Sequence, residues 1–168
     1  YFKKYKKINI VLVVSNNSSA GALVHAKDND IDQLVINKST LNESLKVIDL
    51  LHARDIKLVV LAGFLLKFPE KIIKNYKGDI INLHPSLLPK FGGKGMYGNN
   101  VHEAVLSSKE SKTGITIHYV NEYYDQGAII DQFEVQLSNK DTIESVVSKI
   151  KELELLHFPG TIEKLLKK

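Results

Sequence analysis

Apolar runs alternate with amphipathic stretches along this chain, which is the pattern of a strand–helix–strand fold. Residues 8–14 and 57–62 are nearly continuous runs of branched aliphatic side chains, which predict strands buried on both faces. Residues 113–121 alternate between apolar and polar positions and predict a strand with two different faces. Further strands are predicted at residues 33–36, 79–84 and 128–137.

Helices are expected between these strands, because apolar positions there recur with the 3.6-residue period. The clearest stripe follows Thr40, where Leu45, Ile48 and Leu51 recur on one helical face. Near the end of the chain, Pro159 predicts a break in the last helix. The other helices are predicted at residues 20–29, from Pro69 onward, at residues 101–108 and at residues 142–166.

The order of these elements predicts the α/β fold class. Because consecutive parallel strands need right-handed helical crossovers, we expect an open, mostly parallel, twisted sheet with helices on both faces, of the Rossmann-like kind. In such sheets ligands collect at the carboxyl ends of the strands. Residues 1–168 show no internal repeat and no linker, and we interpret them as a single domain.

Composition excludes several classes of protein. The chain has 168 residues and 43% hydrophobic content, and no apolar run approaches the roughly 18 residues of a membrane span. The chain has no cysteine, which excludes disulfides and a cysteine nucleophile and favours a cytoplasmic location. The net charge of +4 comes largely from lysines near both ends, and solvated surface lysines explain it better than a nucleic-acid interface.

Asn82 and His84 are the strongest candidates for chemistry. They stand two residues apart at the end of the predicted strand 79–84, so their side chains point to the same face. Pro85 and Pro89 bracket the following turn and make the strand end rigid. An amide donor beside an imidazole suits a reaction that develops negative charge on a carbonyl oxygen.

Other polar residues are weaker candidates. Asp125 lies in a loop, where a carboxylate near His84 would favour the imidazolium and raise the histidine pKa. His118 ranks second, because its strand leads into that loop. The glycine-rich segment 92–98 lacks the order of a phosphate loop and is interpreted as a mobile lid. The remaining histidines are interpreted as structural: His25, His52, His102 and His157.

Asn82, His84, the Pro-Ser-Leu-Leu-Pro run that follows them and Asp125 together resemble the formyltransferase family that uses 10-formyltetrahydrofolate. The resemblance covers residues 8–168. It extends to the branch that formylates glycinamide ribonucleotide in purine synthesis, through residues 61–64, 94–98 and 114–120.

This resemblance implies a mechanism. Asn82 would donate to the formyl oxygen, and His84 as imidazolium would stabilise the oxyanion and donate a proton. Asp125 would hold His84 and raise its pKa. The formyl group would pass from 10-formyltetrahydrofolate, as co-substrate, to the amine of 5-phosphoribosylglycinamide, without a metal. The partners would be these small molecules, with no nucleic acid and no membrane, and the protein would be a monomer or homodimer.

The resemblance also implies binding residues. The glycinamide ribonucleotide would contact Lys151 and Glu154 on the last helix. Folate would lie against two segments that follow strand ends, with contacts from Leu65, Leu66, Lys67, Phe68, Asn82, Asn121, Glu122, Tyr123, Tyr124 and Asp125.

The beginning of the chain departs from the family pattern. The family starts with a strand and a loop that binds the substrate phosphate at a helix N-terminus. Residues 1–7 resemble the end of the helix that follows this loop, and the single methionine is Met96. We therefore expect that the first strand and the phosphate loop are missing from this chain, and that it binds the ribonucleotide poorly.

Three other functions stay open on the sequence. Methionyl-tRNA formyltransferase shares the catalytic motif but carries an added C-terminal domain. Formyltetrahydrofolate hydrolase shares it with an N-terminal regulatory domain. A non-catalytic homologue that binds folate or the ribonucleotide is the alternative from another class, although it would not need Asn82, His84 and Asp125 together.

Overall fold

The computed structural model describes residues 1–2 and 8–167, and the chain divides into two compact units. The first unit is Tyr1–Lys57 with Pro69–Lys77, and the second is Leu58–Phe68 with Gly78–Lys168. The predicted α/β class is confirmed. The helix end expected in the first seven residues falls largely outside the described residues. A single domain over the whole chain stays a prediction.

Over its described residues, the first unit contains a small parallel sheet and four helices. Its strands are β1 (Leu12–Ser15) and β2 (Asp32–Val35), which pair with Leu12 opposite Asp32. Burial of β1 on both faces was expected, but Val14 is 43% exposed. The helices are α1 (Gly21–Lys27), α2 (Lys38–Asn42), α3 (Ser44–Ala53) and α4 (Glu70–Asn75).

The helix predicted from residue 40 is in fact two helices, α2 and α3. Ile48 and Leu51 of the predicted stripe are buried in α3, together with Ser44. Leu45 is 60% exposed, so its place in the stripe was wrong. The buried positions follow the spacing i, i+4 and i+7 from Ser44, and Leu45 lies about 100° away around the helix axis.

The second unit is built on a four-stranded open sheet. The strand order is β3 (Leu58–Ala62), β4 (Asp79–His84), β5 (Lys112–Tyr119) and β6 (Ile129–Gln136). β3 and β4 are parallel, whereas β4–β5 and β5–β6 are antiparallel. Over the described strands of both units, the sheets are therefore mixed, with two parallel and two antiparallel pairs.

Two helices complete the second unit, α5 (Asn99–Ser107) and α6 (Ile143–Leu166). α6 packs on β5 and β6, and its buried Val146 and Ile150 form a core cluster with Ile115. Thr142 and Ser145 form a reciprocal capping box at the start of α6. None of the described helices is long and apolar enough to cross a membrane.

The predicted break near Pro159 and Gly160 does not occur. α6 is one helix of 24 residues that continues through both. Proline removes a single backbone N–H from this ladder. The turn beyond it is held to β6, where Thr161 Oγ1 donates to Asp131 Oδ2 at 2.9 Å and Lys164 Nζ lies 3.6 Å from Asp131 Oδ1. These contacts keep the last part of α6 aligned with the rest.

The register of β4 against β5 brings polar side chains together. Asn82 lies opposite His118, and His84 lies opposite Thr116. Directly paired residues of antiparallel strands project their side chains to the same face. The sheet therefore places three of the polar residues noted in the sequence at one end of β4.

Candidate functional site

A cleft of about 710 Å³ opens at the carboxyl ends of β3 and β4, within the second unit. The carboxyl ends of neighbouring parallel strands meet at one edge of a sheet, where ligands of α/β proteins collect. Asn82, His84, His118 and Asp125 all line this cleft. Within the described part of the chain, no three His, Cys, Asp or Glu side chains are grouped as metal ligands would be.

The predicted trio of Asn82, His84 and Asp125 comes together around the Asp125 carboxylate. His84 Nδ1 lies 3.6 Å from Asp125 Oδ1, and Asn82 Nδ2 lies 3.5 Å from the same oxygen. The spacing of two residues on β4 explains why the amide and the imidazole share a face. The carboxylate reaches them from a separate loop that follows β5.

His118 is a full member of this group, although the sequence ranked it second. Its Nε2 lies 3.1 Å from Asn82 Nδ2 and 3.6 Å from Asp125 Oδ1. Its Nδ1 donates to the Tyr119 carbonyl at 2.8 Å. The ring is 2% exposed. Because Tyr119 fixes one nitrogen, the other accepts the Asn82 amide hydrogen and orients that amide in the cleft.

The Asp125 carboxylate is held in place and kept ionised. Its Oδ2 accepts the backbone N–H of Gly93 at 2.8 Å, and its backbone has a φ of 54°. Burial alone would raise the pKa of Asp125, but the contact with His118, the Gly93 N–H and the nearby His84 ring outweigh burial and lower it below 3.8. Asp125 therefore places a fixed negative charge beside the two imidazoles of the cleft.

His84 is 3% exposed, and its Nε2 donates to the Phe91 carbonyl at 2.8 Å. Burial lowers the pKa of His84 below 6.5, and this outweighs the Asp125 charge and the Phe91 carbonyl, which both raise it. Asp125 thus acts on the His84 pKa in the predicted direction, but the net shift is downward. The lowered pKa favours a neutral imidazole in the free protein, whereas Asp125 favours the imidazolium that the resemblance implies.

His102 on α5 is a residue of the cleft that the sequence analysis missed. It was interpreted as structural, yet it lines the cleft, is 5% exposed, and its Nδ1 contacts no hydrogen-bond partner among the described residues. Burial and the neighbouring His84 lower the pKa of His102. α5 follows β4 through a loop and packs on α6, and no local sequence pattern predicts that this brings His102 to the cleft.

The residues predicted to bind ligands lie around the same cleft, with one exception. Glu122 is half-buried and is absent from the cleft wall. On α6, the half-buried Glu154 and the exposed Lys151 both line it. The other predicted residues on the wall are Leu65, Leu66, Lys67, Phe68, Asn82, Asn121, Tyr123, Tyr124 and Asp125.

The pKa of Glu154 shifts in the direction opposite to that of the other acid of the cleft, Asp125. Burial raises the pKa of Glu154, and the nearby Lys151 only partly offsets this effect. A carboxyl group that is partly buried next to a lysine offers both acceptor oxygens and an adjacent positive charge. This end of the cleft suits a polar ligand with amide or hydroxyl groups.

The arrangement supports acyl chemistry at a carbonyl group. Asn82 offers amide hydrogens, and neutral His84 offers a proton acceptor at Nδ1 beside an ionised carboxylate. An imidazole in this position can take a proton from an attacking nucleophile and then return it to a leaving group. The amide and the newly formed imidazolium stabilise the oxyanion in between.

Comparison with known proteins gives one consistent result. The family model described as formyl transferase matches residues 2–162. A phosphoribosylglycinamide formyltransferase of Haemophilus influenzae is 34% identical over 158 residues, which cover 92% of this chain and 72% of that protein. The chloroplastic phosphoribosylglycinamide formyltransferase of Arabidopsis thaliana is 38% identical over 147 residues, which cover 84% of this chain and 50% of that protein. The chain thus spans about half the length of the Arabidopsis protein.

A solved structure agrees with these sequence matches. The crystal structure of a phosphoribosylglycinamide formyltransferase from Bacillus halodurans superposes with a TM-score of 0.88 and 31% sequence identity. The superposition covers 99% of this chain and 87% of that chain.

Proposed function

Because the chain belongs to the formyl transferase family, we propose that it transfers a formyl group from 10-formyltetrahydrofolate to the glycinamide amine of 5-phosphoribosylglycinamide, a step of purine biosynthesis. The acceptor is suggested by the names of its relatives from Haemophilus and Bacillus. The donor is suggested by the sequence motif at residues 82–89 together with Asp125. Cytoplasmic location and a monomeric or dimeric state stay predictions.

The observation that carries this proposal is the convergence of Asn82, His84 and Asp125 in one cleft. Both β4 side chains lie within 3.6 Å of the same carboxylate oxygen, Asp125 Oδ1. A protein that only bound folate would need neither a desolvated imidazole nor a carboxylate aimed at it. The arrangement is therefore better explained by proton transfer during a reaction than by binding alone.

The proposed reaction starts with attack by the acceptor amine. The amine nitrogen bonds to the formyl carbon, and the carbonyl electrons move to the formyl oxygen. In the free protein, Asn82 Nδ2 donates a long hydrogen bond of 3.5 Å to Asp125 Oδ1. During the attack, an amide hydrogen of Asn82 turns to the oxyanion instead. The proton that the amine loses passes to His84 Nδ1, which is neutral at rest because burial lowers the pKa of His84.

Collapse of the tetrahedral intermediate completes the transfer. The oxyanion re-forms the carbonyl, and the bond between the formyl carbon and folate N10 breaks. The His84 imidazolium, stabilised by Asp125, returns its proton to N10. The net result is a formylated amine and tetrahydrofolate, with no proton gained or lost by the protein.

The folate is proposed to lie between the segment after β3 and the loop that contains Asp125. Leu65 and Tyr123 are 57% and 61% exposed at the cleft, where flat rings of a ligand would cover them. Leu66, Lys67, Phe68, Asn121 and Tyr124 complete this part of the wall. The ribonucleotide is proposed to lie towards α6, where Lys151 and Glu154 line the cleft.

A labelled-donor experiment separates this function from its alternatives. The protein is incubated with 10-[13C]formyltetrahydrofolate and one acceptor at a time: glycinamide ribonucleotide, water alone, or methionyl-tRNA. Mass spectrometry then locates the label. Labelled formylglycinamide ribonucleotide supports the proposal, whereas labelled formate without an amine, labelled formylmethionyl-tRNA, or no transfer at all would contradict it.

A further inference from the structure

The serine of the Pro-Ser-Leu-Leu-Pro run has no part in the chemistry described so far, yet it is fully buried. Ser86 Oγ donates to the Lys90 carbonyl at 2.8 Å and lies 3.4 Å from the Phe91 carbonyl oxygen. Phe91 has a φ of 56°, in the left-handed region that bulky residues rarely adopt. A strained backbone of this kind persists only where its surroundings hold it, and the Ser86 hydroxyl is one such restraint.

The Phe91 carbonyl fixed in this way contacts His84. His84 Nε2 lies 2.8 Å from the Phe91 carbonyl oxygen. A carbonyl oxygen only accepts hydrogen bonds, so Nε2 has to carry a hydrogen whether the ring is neutral or charged. The nitrogen that gains and loses a proton is therefore Nδ1, which lies 3.6 Å from Asp125 Oδ1.

His118 shows the opposite arrangement across the strand pair. Its Nδ1 donates to the Tyr119 carbonyl at 2.8 Å, which leaves Nε2 as the acceptor for Asn82. A backbone carbonyl thus fixes each ring in a different tautomer. The charged and titratable groups that face His84 come from three elements: Asp125 from its loop, His118 from β5 and His102 from α5.

We propose that Ser86 and the Phe91 carbonyl form a clamp that holds His84 as the Nε2–H tautomer, so that Nδ1 is its proton-exchanging nitrogen. Ser86 and Phe91 are then positioning residues, which act through His84 and do not touch the reacting atoms. The tautomer of His84 does not depend on the proposed function, because it can be observed in the protein without substrate. The assignment of Nδ1 to formyl transfer rests on the proposed function.

Nitrogen NMR reads the tautomer directly and needs no substrate. Protein labelled with 15N-histidine is recorded at about pH 8, in long-range 1H–15N correlation, and the His84 signals are assigned by their loss in His84→Gln. The clamp predicts a protonated Nε2 and an unprotonated Nδ1 for His84, and the reverse for His118. A His84 ring that is protonated at Nδ1 and unprotonated at Nε2 in the free protein would overturn the proposal.

Ser86→Ala tests the clamp separately from the fold, with Ser148→Ala on the exposed face of α6 as the matched control. We expect His84 to become a mixture of tautomers in Ser86→Ala, with kcat lowered about tenfold and KM nearly unchanged. An unchanged tautomer and kcat in Ser86→Ala would refute the role of the serine. If that variant does not fold, the wild-type spectrum still decides the tautomer.

The two proposals fail in different ways. A protein with the Nε2–H tautomer that transfers no formyl group to any acceptor refutes the proposed function and leaves the clamp intact. A protein that transfers formyl to glycinamide ribonucleotide, with His84 protonated at Nδ1 and unprotonated at Nε2, refutes the clamp alone.

Discussion

The backbone N–H of Gly93 donates to Oδ2 of Asp125 at 2.8 Å. This bond ties the glycine-rich segment after β4 to the carboxylate of the cleft and leaves Oδ1 free to face the two imidazoles. Gly93 has a φ of 100°, which residues with a Cβ rarely adopt. The position of the carboxylate therefore depends on a loop whose backbone only glycine fits well.

Asp125→Asn should remove the charge while keeping the backbone, because asparagine tolerates the φ of 54° at this position. The neutral amide no longer favours the His84 imidazolium that forms during transfer. We expect kcat to fall by about 10²-fold or more while the melting temperature changes little, as steady-state kinetics and thermal unfolding would measure.

Asp131→Asn is the matched control for this change. Asp131 binds Thr161 and Lys164 on α6 and does not line the cleft. Its amide variant should lower the melting temperature and leave kcat within about twofold of wild type. Equal loss of kcat in the two variants would mean that the Asp125 effect is a general loss of folding.

Acidification should destabilise the protein through its buried histidines. Burial lowers the pKa of His84 and of His102 below 6.5, so the folded protein binds protons less readily than the unfolded chain. Their stabilising contribution is present above about pH 6.5 and is lost as the pH falls further. The melting temperature should drop as the pH falls below about 6.5, and less steeply in His102→Gln. Identical slopes for wild type and variant would contradict this account.

Gly127→Ala should disturb the support of His118. A Cβ at Gly127 would overlap the Tyr119 carbonyl oxygen and come within 3.5 Å of His118 Nδ1. Because that carbonyl fixes the ring, we expect a loss of about 1–3 kcal/mol in unfolding free energy and a lower kcat. Urea unfolding and steady-state kinetics measure the two effects.

Gly160→Ala is the corresponding control, because the residue is inside α6 and a Cβ there would meet no described atom within 4 Å beyond its chain neighbours and the adjoining helix backbone. Alanine in a helix should stabilise the protein by about 0.5–1 kcal/mol and leave kcat unchanged. If Gly127→Ala behaved like Gly160→Ala, the close approach of Gly127 to the Tyr119 carbonyl would have no consequence.

Thr116→Val should loosen the turn that follows β4. The fully buried Thr116 hydroxyl donates to the Ser86 carbonyl at 2.6 Å and accepts from the Leu88 N–H at 3.0 Å and from Gln132 Nε2 at 2.9 Å. Valine has the same shape but leaves these buried groups unpaired, so we expect a loss of about 1–3 kcal/mol or more in urea unfolding. Thr116→Ser keeps the hydroxyl and should lose less; the opposite order would contradict the assigned role.

Much of the site was predictable because it depends on local rules. Two residues on a strand share a face when they are two positions apart, which joined Asn82 to His84. The strand itself was predicted at residues 79–84 and was observed as Asp79–His84. The alternation of apolar and polar residues at positions 113–121 likewise predicted the strand that contains His118.

The rest depends on long-range geometry that the sequence does not encode locally. His118 entered the site through the antiparallel register of β4 and β5, which no local pattern sets. His102 lines the cleft because of where α5 lies in the fold. The proposed His84 tautomer depends on the Phe91 backbone carbonyl rather than on a side chain. The net pKa of His84 required its burial to be known. In α6, tertiary contacts beyond Pro159 outweighed the local preference for a break.

A single-turnover comparison decides whether the cleft formed by Asn82, His84 and Asp125 performs formyl transfer. Wild type, His84→Gln and the exposed His25→Gln are each mixed with 10-[13C]formyltetrahydrofolate and glycinamide ribonucleotide, and the rate of label transfer is measured together with folate binding. We expect transfer by wild type and His25→Gln, and a rate at least about 10²-fold lower in His84→Gln with folate still bound. Transfer by His84→Gln at the wild-type rate would contradict this expectation.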